Sequence, residues 1–436
     1  MNRIFNLRER GTSVSRELAA GLTTFLTMAY ILAVNPAMLS QTGMDAGGVF
    51  TATALASAIA TVLMALLANL PVALAPGMGL NAFFTYTVVM GLGYSWQLAL
   101  TAVFLEGILF ILLSLVNVRE LIIKAIPPNL KRAVAVGIGL FICLIGFSNA
   151  GIVVNNAGTI IGFGKLTSGP ALLALAGLLI TIVLYANRVP GAILLGIVIT
   201  TVLGIPLGIT QTPEQFSLVS LPSAPIFARF EFSNIVSFEF FTVFFTFLFV
   251  DIFDTVGTLV GVTTQAGLIK SDGEIPRVKQ ALLADAIGTA AGAVLGTSTV
   301  TSYIESSAGI AAGGRTGLTS IFTGILFLAA LFLWPLFALV PSAATAPALI
   351  LVGFLMMQSV TEINFRDPTE GIPAFLTIVI MPFAYSIAEG IVYGIISYVL
   401  LKALTLRLKD ISFVAWALFV IFALRFFGPL LEQWFR

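Results

Sequence analysis

The sequence predicts an all-α polytopic membrane protein: fourteen transmembrane segments in two inverted seven-segment repeats, with short antiparallel strands in segments 3 and 10. Three observations carry that prediction. The 436 residues are 58% hydrophobic and only 9% charged, with a mean hydropathy of +1.06, whereas a water-facing surface needs roughly a quarter of its residues charged. Cations fall on alternate sides of the successive apolar stretches. Short motifs of the first half recur, in order, in the second.

Residues 1–16 carry Arg3, Arg8, Arg10 and Arg16 without an apolar core and read as a cytoplasmic tail, with no cleavable signal peptide expected. Seven apolar stretches follow within 17–209, at 17–38, 47–69, 72–92, 95–116, 131–151, 169–187 and 190–209. A loop at 210–236 is expected outside the cytoplasm. Seven more stretches lie within 237–404, at 237–262, 279–296, 298–312, 316–339, 343–361, 371–385 and 386–404. Residues 405–436 hold a further hydrophobic segment, 412–430 with Arg425, which either spans or lies along the interface.

With the tail inside, the cytoplasmic ends hold Arg119, Lys124, Lys131, Arg132, Arg188, Lys270, Arg277, Lys279, Arg315, Arg366, Lys402, Arg407 and Lys409. The opposite loops hold only Lys165 and Arg229. That is the positive-inside pattern, and a miscounted segment would scramble it. Such a chain is expected in the cell membrane, lipid-solvated, with its N-terminus cytoplasmic.

Leu100 to Phe110 reads LTAVFLEGILF and Leu318 to Phe327 reads LTSIFTGILF, while Thr24-Phe25-Leu26 recurs as Thr246-Phe247-Leu248. Seven segments per copy is an odd number, so the second copy inserts upside down. Inverted repeats point to an alternating-access transporter whose site lies at the midplane between them.

Composition removes whole classes of chemistry. With no histidine, a histidine-ligated zinc, a Ser-His-Asp triad and an imidazole proton shuttle are all excluded. A single cysteine, Cys143, leaves no intramolecular disulfide or Cys-x-x-Cys site. A net charge of +1 gives no footprint for nucleic acid. No cofactor or metal is expected, and ionic chemistry falls to carboxylates.

Segment 3 contains Pro71, Pro76, Gly77 and Gly79, which disfavour a continuous helix: Val72 to Ala75 can be extended, and Leu80 onward helical. Segment 10 has the same design, with β-branched Thr297 to Ser302 followed by a helix start from Tyr303. Extended backbone in a membrane needs partners, so the two strands are expected to pair with each other, each handing over to a half-helix. The half-helix N-termini then offer N–H groups to a ligand, with Asn81 and Glu305 expected at those starts, at equivalent points of the two repeats. Ordinary kinking by Gly and Pro is the blander account of either break alone.

Segment 8 reads Phe249-Val-Asp-Ile-Phe-Asp-Thr-Val-Gly-Thr-Leu259. Asp251 and Asp254 share a helix face that Thr255 and Thr258 extend. A carboxylate at mid-membrane costs about 2.5–3.5 kcal/mol even on a lenient scale, and two close acids do not both ionise readily there, so one is expected to hold a proton. A buried ion pair is the structural alternative, but cations are nearly absent from the spans; for Asp251 a helix-tying role is equally open. Glu106, Asp285 and Glu389 either help proton transfer or close helix–helix hydrogen bonds, and the structural role is favoured for each.

At these residues the chain resembles the nucleobase:cation symporter-2 permeases, in particular the azaguanine-type branch that carries hypoxanthine, guanine and adenine. The likeness runs over nearly the whole chain. It is carried by Arg16 to Ile31 (RELAAGLTTFLTMAYI), Asn35-Pro36, Ala75 to Phe84 (APGMGLNAFF), Phe253 to Thr258 (FDTVGT) and Thr297 to Gly309 (TSTVTSYIESSAG). The resemblance implies a core and a gate domain, and maps substrate-contacting positions onto Asn81, Asp251, Asp254, Tyr303, Ile304 and Glu305. Where related uracil permeases read Glu-His-Val-Gly-His, this chain reads Asp254-Thr-Val-Gly-Thr258, so proton coupling is expected at Asp251, Asp254 and Glu305.

The expected partners are therefore a purine base and a proton, with sodium an alternative coupling ion and a homodimer the candidate assembly. A flat neutral base has N–H donors for the carboxylates and ring acceptors for Asn81. Phe83, Phe84, Phe253 and Tyr303 are candidates for a stacking wall, though each is as readily a packing aromatic. Two rival readings are an anion transporter or channel of the same architecture, which would favour cations where Asn81 and Glu305 stand, and an intramembrane aspartyl protease, whose Gly-x-Gly-Asp motif is absent.

Overall fold

The computed structural model describes residues 5–115, 127–156, 158–213, 216–233, 235–268 and 276–434, with backbone alone for 238, 253 and 424–434. Arg3, Arg119, Lys124, Lys270 and the side chains of Phe253 and Arg425 lie outside the described residues.

The first half runs α1 (Val14–Met28), α2 (Ile31–Leu39), α3 (Ala46–Leu63), β1 (Leu74–Pro76), α4 (Met78–Ala82), α5 (Trp96–Leu115), α6 (Pro128–Asn149), β2 (Val153–Asn156), β3 (Ile160–Phe163), α7 (Gly169–Ala186) and α8 (Ala192–Gly204). The second half runs α9 (Phe238–Gln265), α10 (Val278–Leu295), β4 (Val300–Ser302), α11 (Ser306–Ala311), α12 (Gly317–Ala330), α13 (Trp334–Ala338), α14 (Ser342–Met357), α15 (Pro368–Phe383), α16 (Ile387–Leu404) and α17 (Phe413–Trp434). Among the described residues, ten helices are long and apolar enough to cross a membrane. The shorter α8 and α15 and the two broken segments complete fourteen. The additional α17 packs on α16, burying Leu418 and Phe422.

Local chemistry sets the helix ends. Ser13, Asp45, Ser237, Thr316, Asp367 and Ser386 cap N-termini with side-chain oxygens, each satisfying an otherwise orphaned backbone donor. The ladder of the first segment is interrupted at Ala29–Tyr30, upstream of Pro36, whose ring lacks an N–H and crowds the carbonyl four residues back.

The expected pairing of the two broken segments is present. β1 and β4 run antiparallel, with Leu74 opposite Ser302 and Pro76 opposite Val300, and the ladder continues through Gly77 N–H to Thr299 O and Tyr303 N–H to Ala73 O. Both strands are fully buried. The hairpin of β2 and β3, Val153 opposite Phe163, was not anticipated. Its signal was a short β-branched run on each side of an Asn-Ala-Gly turn.

Packing divides the helices in two. α6 packs on α14 and α15, α15 on α16, and α7 on α8 and α14, which together form the gate. α1 to α5 and α9 to α12 pack among themselves as the core, with α10 against α3 and α5, and α12 against α1 and α3. At the Asn149 end of α6 the two bodies are joined: the Tyr86 hydroxyl accepts from Asn149 Nδ2 (3.2 Å) and Gln41 Nε2 (3.1 Å), and the Tyr86 and Phe141 rings pack on Tyr385.

Candidate functional site

At the other end of α6 the core and gate separate around a cavity of ≈ 1380 Å³. That exceeds the about 300–1,000 Å³ of an ordinary small-molecule pocket, because it reaches the surface at Lys131, Arg132, Arg188 and Glu362. Its deep end on the core side is lined by Thr27, Asp254, Thr258, Ile304, Glu305 and Ser307, and the gate faces them with Ile138, Val352 and Met356. The deep end is thus polar and acidic, the mouth basic, and the facing wall apolar.

The helical period explains which aspartate reaches the cavity. Asp254 and Thr258, four apart, line it. Asp251 and Thr255, also four apart, turn into the core and are fully buried. There Thr255 Oγ1 lies 3.2 Å from Asp251 Oδ1, 2.8 Å from Asp285 Oδ1 and 3.0 Å from the Thr301 hydroxyl. This junction ties α9, α10 and β4 together. The single face expected for all four residues is therefore two adjacent faces with different surroundings.

Glu305 precedes α11 as its N-cap residue and is half-buried at the cavity. Its Oε1 accepts from the Tyr30 hydroxyl at 2.7 Å, and its backbone carbonyl lies 3.4 Å from Thr27 Oγ1. Ile304 beside it is 48% exposed, so its side chain reaches the cavity. The N–H groups of Ser306, Ser307 and Ala308 bond to the carbonyls of Tyr303, Ile304 and Glu305, so the donors expected to be open at the start of this half-helix are already engaged.

Three sequence expectations are corrected. Asn81 falls at the fourth residue of α4, one turn past the Gly77 cap, fully buried, with its Oδ1 accepting from Ser298 Oγ and its Nδ2 donating to Pro76 O at 3.4 Å. It staples the two broken segments together instead of lining the cavity. Nor do Asn81 and Glu305 share equivalent surroundings: Asn81 is fully buried and off the cavity, whereas Glu305 lines it. Finally, Tyr303 is buried with its hydroxyl donating to Pro76 O at 2.5 Å, and Phe83 and Phe84 are buried against Phe247. None of the three lines the cavity: the strand pairing sets Tyr303 on Pro76, and the helical stretch after α4 packs Phe83 and Phe84 on Phe247.

Glu106 accepts from Thr299 Oγ1 at 2.7 Å and so braces the strand of segment 10. Glu389 lies in the first turn of α16, its N–H capped by Ser386. Thr27 and Ser307 line the cavity although the sequence reading passed over them; polar side chains within apolar or motif stretches were the available signal. Gly77 and Gly79 mark close approaches. A Cβ at Gly79 would lie 2.7 Å from Ile138 Cγ2 of the gate, and one at Gly77 would strike Thr301 of the paired strand.

A family model described as a permease family matches residues 15–393. The chain is 48% identical over 438 residues to guanine/hypoxanthine permease PbuG of Bacillus subtilis, covering 98% of this chain and 99% of the relative. It is 46% identical over 414 residues to adenine permease AdeP of Escherichia coli, covering 94% and 92%. Among solved structures it is similar to the transmembrane domain of the cyanobacterium bicarbonate transporter BicA, with a TM-score of 0.66 at 15% identity, covering 87% of this chain and 97% of that one. The murine Slc26a9 anion transporter in the inward-facing state gives a TM-score of 0.64 at 11% identity, covering 90% and 69%. At such identity these two structures speak for the fold alone.

Proposed function

Because the chain belongs to the permease family of the nucleobase:cation symporter-2 type, we propose that it imports purine bases, hypoxanthine, guanine or adenine, across the cell membrane by proton symport. The observation that carries this reading is the pair of carboxylates, Asp254 and Glu305, facing one cavity between two separately packed bodies. A neutral purine offers ring N–H groups to those acceptors, while its ring nitrogens or carbonyl accept from the Thr258 or Ser307 hydroxyls. Ile138, Val352 and Met356 of the gate supply the apolar wall for its flat face.

Coupling follows from the same pair. Two acids sharing a low-dielectric cavity do not both ionise readily, so a proton enters with the base and leaves when the cavity rehydrates. Asp251, behind Asp254, acts through the Thr255 junction, and Asn81 through the bracing of the strands. The core then moves against the gate, in an elevator-like or rocking exchange. In this reading the tail 1–16 is cytoplasmic and the loop 210–236 lies on the far side, so the mouth with Lys131, Arg132 and Arg188 opens inward.

An anion as substrate fits poorly, since Asp254 and Glu305 would repel it. A protease is excluded by the family, whose members are permeases. The test is uptake of radiolabelled hypoxanthine, guanine and adenine by cells lacking their own permeases, with and without a protonophore. Absence of uptake of all three sinks the substrate assignment, and uptake indifferent to the proton gradient sinks the coupling. Glu305→Gln and Asp254→Asn should each abolish uptake while the protein still reaches the membrane.

A further inference from the structure

We propose that Tyr30, at the break in the first segment, is a positioning residue that holds the Glu305 carboxylate in its ligand-accepting pose. The inference rests on the reading of Glu305 given above. Tyr30 is 1% exposed and lines no part of the cavity, yet its hydroxyl donates to Glu305 Oε1 at 2.7 Å across 275 positions of sequence. One turn earlier Thr27 Oγ1, which donates to Thr24 O at 2.8 Å, also lies 3.4 Å from the Glu305 backbone carbonyl. The same short stretch of segment 1 therefore lies against both the side chain and the backbone of this residue, with the Tyr30 bond the one that holds it.

The break is what allows it. α1 ends at Met28 and α2 begins at Ile31, and the N–H groups of Leu32 and Ala33 bond to carbonyls only three back, at Ala29 and Tyr30. That tightened turn, above the clash imposed by Pro36, presents the Tyr30 ring toward α11. A glutamate side chain has several soft torsions, and ordering them opposes ligand binding. A fixed phenol removes that freedom before the ligand arrives, and it takes one of roughly four acceptor positions on the carboxylate. The rest remain for a ligand N–H.

Tyr30→Phe keeps the ring and deletes the donor. For tritiated hypoxanthine uptake we expect its KM to rise roughly tenfold, the loss of one hydrogen bond to a charged group, with Vmax, normalised to protein in the membrane, within about twofold of wild type. Glu305→Asp, which draws the carboxylate back by one methylene, should raise KM comparably, and adding Tyr30→Phe to it should change KM no further. An unchanged KM in Tyr30→Phe, or a Tyr30→Phe effect that multiplies in full onto Glu305→Asp, overturns the inference. If Tyr30→Phe does not accumulate, Glu305→Asp decides alone, and a wild-type KM there overturns it. Wild-type uptake by Glu305→Gln would sink the reading of Glu305 itself, whereas loss of uptake in Glu305→Gln beside an unchanged Tyr30→Phe sinks only the part given to Tyr30.

Discussion

Glu17 lies in the first turn of α1, fully buried, and its carboxylate collects five donors from the start of α12. Oε1 accepts from Arg315 N–H at 3.0 Å. Oε2 accepts from Thr316 N–H and Oγ1 at 3.3 and 2.9 Å, and from Thr319 N–H and Oγ1 at 3.1 and 2.6 Å. These include the N–H of the N-cap residue Thr316, which α12 itself cannot satisfy. Glu17→Ala strands the Arg315 and Thr316 N–H groups, each costing about 1–3 kcal/mol, and leaves the Thr316 and Thr319 hydroxyls without their acceptor, while Thr319 N–H keeps its bond to Thr316 O and local relaxation returns part of the loss. A net loss of about 3–5 kcal/mol, the range for breaking one side of a buried charged network, is expected. Glu17→Gln keeps one acceptor oxygen but turns an amide toward the remaining donors, so roughly half that loss is expected. Apparent Tm in detergent, read by fluorescence-detected size exclusion, should order wild type above Gln above Ala. At roughly 2 °C per kcal/mol the Ala variant should melt about 6–10 °C low. An Ala variant within about 1 °C of wild type, or a Gln variant below Ala, would refute this reasoning.

A Cβ at Gly309 would lie 2.7 Å from Ala20 O and strike Thr24 Oγ1, so Gly309→Ala should push α11 off α1, cost about 1–3 kcal/mol by overpacking and depress both apparent Tm and purine uptake; a wild-type melt would count against the packing described. In a Cys143→Ser background, thiols placed at Thr258 and Ser307 should react with a water-borne methanethiosulfonate and be protected by hypoxanthine, whereas one at the buried Phe83 should stay unmodified; equal labelling at all three would contradict the lining given for the cavity. Outside the spans, Asp367 is held at about 2, from an ordinary 3.8, first by its hydrogen bond from Arg407 and then by those from Thr369. A carboxylate depressed on folding stabilises above its unfolded value and loses that contribution as pH falls through the folded one. The apparent Tm gap between wild type and Asp367→Asn should therefore be flat down to about pH 4 and close below it, and a gap that widens on acidification would contradict the assignment.

The segment count, the two breaks and their pairing were legible because each has a local signature: length of apolar run, Pro and Gly inside a span, and β-branched residues where a helix would be expected. Asp254 and Glu305 were legible for the same reason, as charges where charge is costly. What the sequence hid was direction. Asp251 and Asp254 look alike at three apart, and only the packing of α9 against α10 and β4 turns one inward and the other to the cavity. Asn81, Tyr303, Phe83 and Phe84 sit beside the breaks in sequence, but their side chains pack into the core, against Ser298, Pro76 and Phe247. Tyr30 and Glu17 were passed over because their partners lie more than half the chain away.

The pairing of Leu74–Pro76 with Val300–Ser302 has a consequence for biogenesis. During synthesis the third segment enters the membrane long before the tenth exists, so although Thr61 of the first half can bond both backbone groups of Leu74, the Ala73 carbonyl and Gly77 N–H wait without their strand partners, at a cost of several kcal/mol for each group. Contacts this distant in sequence form late and slowly. The first half of the chain is therefore committed to a nascent state that only the second half can complete, and the binding cavity becomes a checkpoint on assembly: a molecule able to close it has, by that act, inserted nearly its whole length correctly.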